Sequence, residues 1–288
     1  MGDISNGALA SIFNKCSRYV DSLVRSYIDA HEENAETRLM ATHFPAVLKA
    51  ARTITNLREL SNTDKAIAYV IAALHDAGRL SQDKLVGRND DATGLPHAFL
   101  SCLKAQEKMQ ELLSPIKVTD LDEIWTLVMT AVLNHTNMKG AVLNEDKLTE
   151  RQRLHLETIK EADAMANLSD KFPNPKNAAD LMEVNGCTLE GLIKSDFSQD
   201  VLDTVLARKG VNYEEIRKAG NTPANWYLAW MAHGYNIVNK FTAQALLNGG
   251  YLGAMATIVD FEKSATSAAM LQAAEAVNSY LEEIAYGV

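Results

Sequence analysis

The amino-acid sequence predicts an all-α protein, and three observations carry that prediction. Apolar residues recur at three- and four-residue intervals along the whole chain, helix-start residues stand ahead of several of those stripes, and no run of alternating β-branched residues interrupts them. There is no internal repeat and no low-complexity tract. The first helix carries Leu9, Ile12, Phe13, Cys16, Tyr19, Val20, Leu23, Val24 and Ile28 on one stripe, with Ser5 or Asn6 as its N-cap. A second follows Pro45, whose ring suits a first helical turn, and buries Val47, Leu48, Ala51 and Ile54. A third begins near Thr63-Asp64 and runs through Ala66, Ile67, Val70, Ile71 and Leu74 to His75-Asp76, with Gly78 as its terminator.

The polar break from Asp90 to Pro96 delivers His97 to the start of another helix. Asp120-x-x-Glu123 reads as a capping box before Leu121, Ile124, Val128, Ala131 and Val132, a stripe that ends at His135. Thr149-x-x-Gln152 opens a further helix on which Ile159, Asp163 and Ala166 share a face. The texture changes at KFPNPKNAAD, from Lys171 to Asp180, where two prolines break the pattern. This divides the chain into a domain over 1–170 and a helical extension over 171–288, expected to pack on the first. The extension holds Trp226 and Trp230 and ends in an Ala-rich amphipathic tail after Phe261.

The 288 residues are 47% hydrophobic and 23% charged, ordinary values for a globular chain with a full core. A net charge of −9 argues against a surface that neutralises many phosphates, so a small molecule is expected as the partner rather than long nucleic acid. Cys16, Cys102 and Cys187 are scattered without CxxC spacing, which fits a reducing compartment rather than a disulfide framework. The opening MGDISNGALASIF lacks the basic and apolar regions of a secretory signal, and no apolar run is long enough to span a bilayer. A cytoplasmic protein without a membrane partner is expected. There is no P-loop, no dinucleotide fingerprint and no GxSxG elbow.

The chemistry concentrates in four imidazoles and two carboxylates placed at the ends of separate predicted helices: His43, His75, Asp76, His97, His135 and Asp163. Neutral imidazole and carboxylate together suit Fe, Mn, Zn, Co or Ni, with Mg also admissible. A carboxylate such as Asp163 on an otherwise apolar face is costly unless it is paired or metal-bound. His31 and His155 read as surface residues. His233 reads as a packed or cavity-lining residue near Trp230, and NDDATG (Asn89–Gly94) as a solvated acidic loop.

In its order His…His-Asp…His…His…Asp, and in the flanking segments RLMATHFPAV, LHDAGRL, GLPHAFLSC, VLNHTNMKG and KEADAMANL, the chain resembles the HD superfamily of metal-dependent phosphohydrolases. The resemblance implies an HD-type helical bundle with additional C-terminal helices and a centre of one or two divalent metal ions. Members with two extra histidines between the doublet and the last Asp hold two ions, with the doublet's Asp as the bridge, which gives Asp76 that role. Here Asn134-His135 stands where some members have two successive histidines, and an amide is a poor ligand. Arg79 occupies the position of a basic residue, commonly Lys, that contacts phosphate, and Arg38 precedes His43 where members often carry another. Arg binds phosphate as a planar fork.

Hydrolysis of a phosphoester or phosphoanhydride by metal-bound hydroxide is the implied activity, on a nucleotide or a nucleotide-derived signal. The spacing is similar to that of diadenosine-polyphosphate hydrolases and cyclic-nucleotide phosphodiesterases. The Gly-Tyr-Pro extension of the cyclic-di-GMP group is absent, since MKGAVLNED follows the His135 segment. Trp226, Tyr227, Trp230, His233 and Tyr235 are candidates for recognising the leaving group, with core packing as their other role. The alternative in another class is an HD-type domain that senses a nucleotide without turning it over.

Overall fold

The computed structural model describes residues 3–30, 35–86, 95–114, 121–136, 145–171, 188–211, 213–220, 222–251 and 264–287. Among these residues every regular element is a helix and there is no strand, so the fold is all-α. No described helix is long and apolar enough to cross a membrane. The chain forms two compact units: Met1–Ala30 with Phe44–Ala162, and His31–His43 with Asp163–Val288.

The first unit holds α1 (Asn6–Ala30), most of α2 (Ala35–Leu57), α3 (Asn62–Leu74), α4 (Arg79–Val86), α5 (His97–Leu113), α6 (Leu121–Asn134) and most of α7 (Glu150–Ala166). Ser5 caps α1 by accepting the Ala8 amide, as the sequence predicts. The second helix departs from expectation. It starts at Ala35, so Pro45 lies inside it rather than in its first turn. Ala35, Glu36, Arg38, Leu39, Met40 and Ala41 ahead of Pro45 are good helix formers, and Pro45 is exposed, which keeps its ring out of the packed face. On the buried face Val47, Leu48, Ala51 and Ile54 are all 3% exposed or less.

At the centre of this unit stands α3. Residues Ala66 to Leu74 are buried all round, the pattern of a helix with neighbours on every side, and α1, α5 and α6 pack against it. Phe13 of α1 meets Tyr69 edge-on at 5.2 Å, and the Arg52 guanidinium of α2 lies over the Phe13 ring, 4.6 Å from its centre. Ser61 caps α3 by accepting the Asp64 amide. At the start of α7 Thr149 and Gln152 form a full capping box. Gln152 N donates to Thr149 Oγ1 at 3.2 Å, and Thr149 N donates to Gln152 Oε1 at 2.9 Å.

The second unit contains α8 (Leu189–Lys194), α9 (Gln199–Leu206), α10 (Tyr213–Lys218), α11 (Pro223–Met231), α12 (Lys240–Gly249) and α13 (Ala265–Tyr286), with a 3-10 turn over Ala232–Asn236. Its spine is α13, which packs against α9, α11, α12 and the 3-10 turn. Tyr227, Leu228 and Met231 of α11 and Met270, Val277 and Leu281 of α13 belong to one core cluster. Small residues on α13 (Ala269, Ala273, Ala274) let its neighbours approach closely. One close approach is at Gly234, where a Cβ would stand 2.3 Å from Val277 Cγ1.

Candidate metal centre

Within the first unit, three helix ends converge on Asp76. The chain leaves α3 after Leu74, turns through His75 to Gly78 and enters α4 at Arg79. Gly78 does not serve as a left-handed terminator. It is glycine because α5 crosses it: a Cβ there would lie 2.4 Å from Ser101 N and 2.5 Å from His97 O. The Gly78 amide donates to Ser101 Oγ at 2.9 Å, and Gln82 Nε2 donates to Leu95 O at 2.9 Å. Together these contacts hold the first turn of α5, and therefore His97, against the doublet.

The geometry could hold a metal ion. Asp76 Oδ1 lies 2.9 Å from His97 Nε2 and 3.4 Å from His135 Nε2, while Asp76 Oδ2 lies 3.7 Å from His75 Nε2. His75, Asp76 and His135 offer ligand atoms within 4.8 Å of one another, and all three side chains are buried, as is that of His97. The tautomers follow from the backbone. His75 Nδ1 is 2.8 Å from Ala72 O and His135 Nδ1 is 2.7 Å from Val132 O. A carbonyl oxygen only accepts, so each ring carries a proton on Nδ1, and a neutral ring then presents its lone pair at Nε2, towards Asp76.

His97 Nε2 and His135 Nε2 are 3.3 Å apart. Two imidazole lone pairs at that distance repel unless a proton or cation lies between them, and ligands about 2.1 Å from one ion stand about 3.0–3.4 Å from each other. The residues present therefore fit a divalent transition metal. Burial alone would raise the Asp76 carboxyl, but Arg79, His75, His97 and His135 outweigh it and hold the group well below the usual carboxylate range. Asp76 is thus the charged form a metal requires. Arg79 Nε stands 3.6 Å from Asp76 Oδ1, with its side chain 15% exposed.

The second unit holds the other two predicted ligands as a pair. His43 Nε2 is 3.2 Å from Asp163 Oδ1, with side-chain exposures of 4% and 21%. Asn167 Nδ2 donates to the same oxygen at 3.1 Å and also reaches His233 Nδ1 at 3.2 Å. The sequence alone gives Asn167 little prominence. The available signal was its i+4 position after Asp163, on the same helix face.

Asn134 takes no part in the cluster. Its Nδ2 donates to Thr130 O of its own helix at 2.7 Å. His155 corrects a second expectation, being fully buried rather than on the surface. Its Nε2 meets Asp64 Oδ1 at 3.1 Å, beside Arg151 Nε at 2.8 Å from that oxygen, while Arg151 Nη1 reaches Glu123 at 2.7 Å. α7 is rich in charged residues, but His155 shares a face with Arg151, four residues before it, and both turn to the Asp64 carboxylate. Burial alone would raise the Asp64 carboxyl, and hydrogen bonds from His155, Ser61 and Arg151 overcome this and lower it.

Of the aromatic candidates, Tyr227 is buried in the second unit's core and Trp230 packs against it. Tyr235 packs there too, with its hydroxyl donating to Val205 O at 2.8 Å. Cys16 and Cys102 are buried free thiols, pushed up by burial to about 12 and about 11. His31, Cys187, the NDDATG loop, Asp120 and residues 172–180 of the proline-containing break lie outside the described residues. Comparison with known protein families, with curated proteins and with solved structures gives no match to this chain.

Proposed function

We propose that this protein is a metal-dependent phosphohydrolase of the HD type, acting on a phosphoester or phosphoanhydride in a nucleotide or nucleotide-derived signal. The observation that carries the reading is the buried group of His75, Asp76, His97 and His135, with two rings fixed in the tautomer that offers Nε2. The reading takes His43 and Asp163 as ligands of the same centre on the order of the motifs in the sequence. A divalent ion held by these residues would lower the pKa of a bound water so that a nucleophile is available near neutral pH. Asp76 would contribute a carboxylate to the ion or ions and an acceptor able to orient the attacking water. Arg79, held beside Asp76, offers a guanidinium fork to the phosphoryl oxygens as charge develops on them. The negative balance of the chain as a whole leaves phosphate attraction to these local groups.

The test is metal analysis of the purified protein with a hydrolysis panel of nucleotides, cyclic nucleotides, dinucleoside polyphosphates and a nitrophenyl phosphodiester, with added Mn²⁺. Turnover that disappears on chelation, returns with Mn²⁺ and is absent from Asp76→Asn supports the reading. Stoichiometric metal with no turnover on any substrate replaces it with a nucleotide-sensing domain. Failure to bind any divalent ion overturns it.

A further inference from the structure

We propose that Asn167 and His233 are positioning residues for Asp163, a step that rests on Asp163 being a metal ligand. Asn167 sits where α7 gives way to a π turn, Asn167–Lys171, and it is 7% exposed. A buried amide is costly unless its donors are used. Its two N–H groups have two acceptors within reach: Asp163 Oδ1 at 3.1 Å and His233 Nδ1 at 3.2 Å. The reverse amide orientation would set Asn167 Oδ1 against a carboxylate oxygen, so the nitrogen must face this way. His233 Nδ1 then accepts, and the ring proton belongs on Nε2.

The effect falls on one oxygen. Asp163 Oδ1 is also the atom 3.2 Å from His43 Nε2. Holding it from the side fixes the plane of the carboxylate and so the direction of its lone pairs. The far end of the chain of contacts is anchored as well. His233 lies in the 3-10 turn Ala232–Asn236, whose Gly234 fits against Val277 with no room for a Cβ. A rigid turn, an imidazole and an amide thus lead in sequence to one ligand atom. Partners of ligating carboxylates and imidazoles set metal affinity, and their loss typically costs about 10–100-fold.

The experiment is titration of chelator-stripped protein with Mn²⁺ and with Co²⁺, the latter read by its absorption spectrum, in wild type, Asp163→Ala, Asn167→Ala, His233→Ala and His233→Asn. Thermal unfolding of each metal-free form is measured alongside. Asn167→Ala is expected to weaken binding by about 10–100-fold. His233→Ala should weaken it less and in the same direction. His233→Asn, whose Oδ1 stands in for Nδ1 as the acceptor, should restore binding towards wild type. His233→Ala and His233→Asn should unfold together in the metal-free state, since a packing role would separate them there. If Asn167→Ala does not fold, the two His233 variants decide. Wild-type affinity in Asn167→Ala and His233→Ala, with metal lost from Asp163→Ala, overturns the positioning role and leaves the centre standing. Wild-type affinity in Asp163→Ala overturns Asp163 as a ligand, and the proposal with it.

Discussion

Two carboxylates stand at opposite ends of α3, and each gathers imidazole and guanidinium around it. Asp64, in the first turn, takes His155 and Arg151 at 3.1 and 2.8 Å. Asp76, just past the last turn, takes His97 and His135 at 2.9 and 3.4 Å, with Arg79 at 3.6 Å. The helix dipole separates them. A negative group is stabilised at the N-terminal end of a helix and destabilised at the C-terminal end. Asp64 lies where the dipole favours it and is also hydrogen-bonded by Ser61, so one imidazole and one guanidinium complete a structural ion cluster. Asp76 lies where the dipole opposes it, fully in the interior, and around it are more imidazole nitrogens than one carboxylate uses. With its surplus of ring nitrogens, two with their protons committed elsewhere, this group could hold a cation, whereas the Asp64 cluster is complete as an ion pair.

The largest expected effect separates the two ends outright. Asp76→Ala should lose bound metal and all hydrolysis while keeping its far-ultraviolet circular dichroism. Asp64→Ala should keep stoichiometric metal and lose about 2–3 kcal/mol in urea unfolding, for a partly buried pair broken on one side. Metal loss from both variants would erase the distinction. Next in size is Gly78→Ala. A methyl group there meets backbone atoms of α5, so the cost should be about 3 kcal/mol, the upper end of what overpacking usually costs. Metal affinity should fall with it, because His97 begins that helix, and Ser101→Ala should shift both in the same direction by less.

The smallest expected effect concerns pH. The Asp64 carboxyl titrates below its ordinary value of 3.8 in the folded protein. Its contribution to stability is therefore intact above that value and is lost as pH falls below it, towards the lowered folded value. Urea midpoints of wild type and Asp64→Asn should differ at pH 7 and draw together below about pH 4. A gap that stays constant with pH would deny the ion cluster its part in stability.

Much of this arrangement is legible in the sequence. The helix stripes, the Ser5 cap, the Thr149–Gln152 box, and the positions of His97 opening one helix and His135 closing another follow from local rules, since caps and periodicity act over a few residues. Three features do not follow from such rules. Pro45 sits within α2 because the helix already has ten residues before it, a fact of context rather than propensity. His155 is buried because Asp64, 91 positions away in the chain, offers it a partner. Gly78 resembles a helix terminator from its neighbours alone, and only the crossing of α5 shows what the absent Cβ is for. Asn167 falls between these cases, its i+4 spacing visible and its second contact, to His233, not.

The ring-to-carbonyl bonds of His75 and His135 have one further consequence. Each Nδ1 proton closes the last turn of the helix that carries the ring, reaching back three residues to Ala72 and to Val132. Orienting the ring and tying off the helix are the same bond. A ring that swings out of the cluster unties its own helix end, and a ring held at Nε2 keeps that turn wound. Ligation and local unfolding are thereby two readings of a single equilibrium at the ends of α3 and α6. Occupancy of the centre would act as a latch on helix fraying, felt along α3, the helix on which the rest of the first unit is assembled.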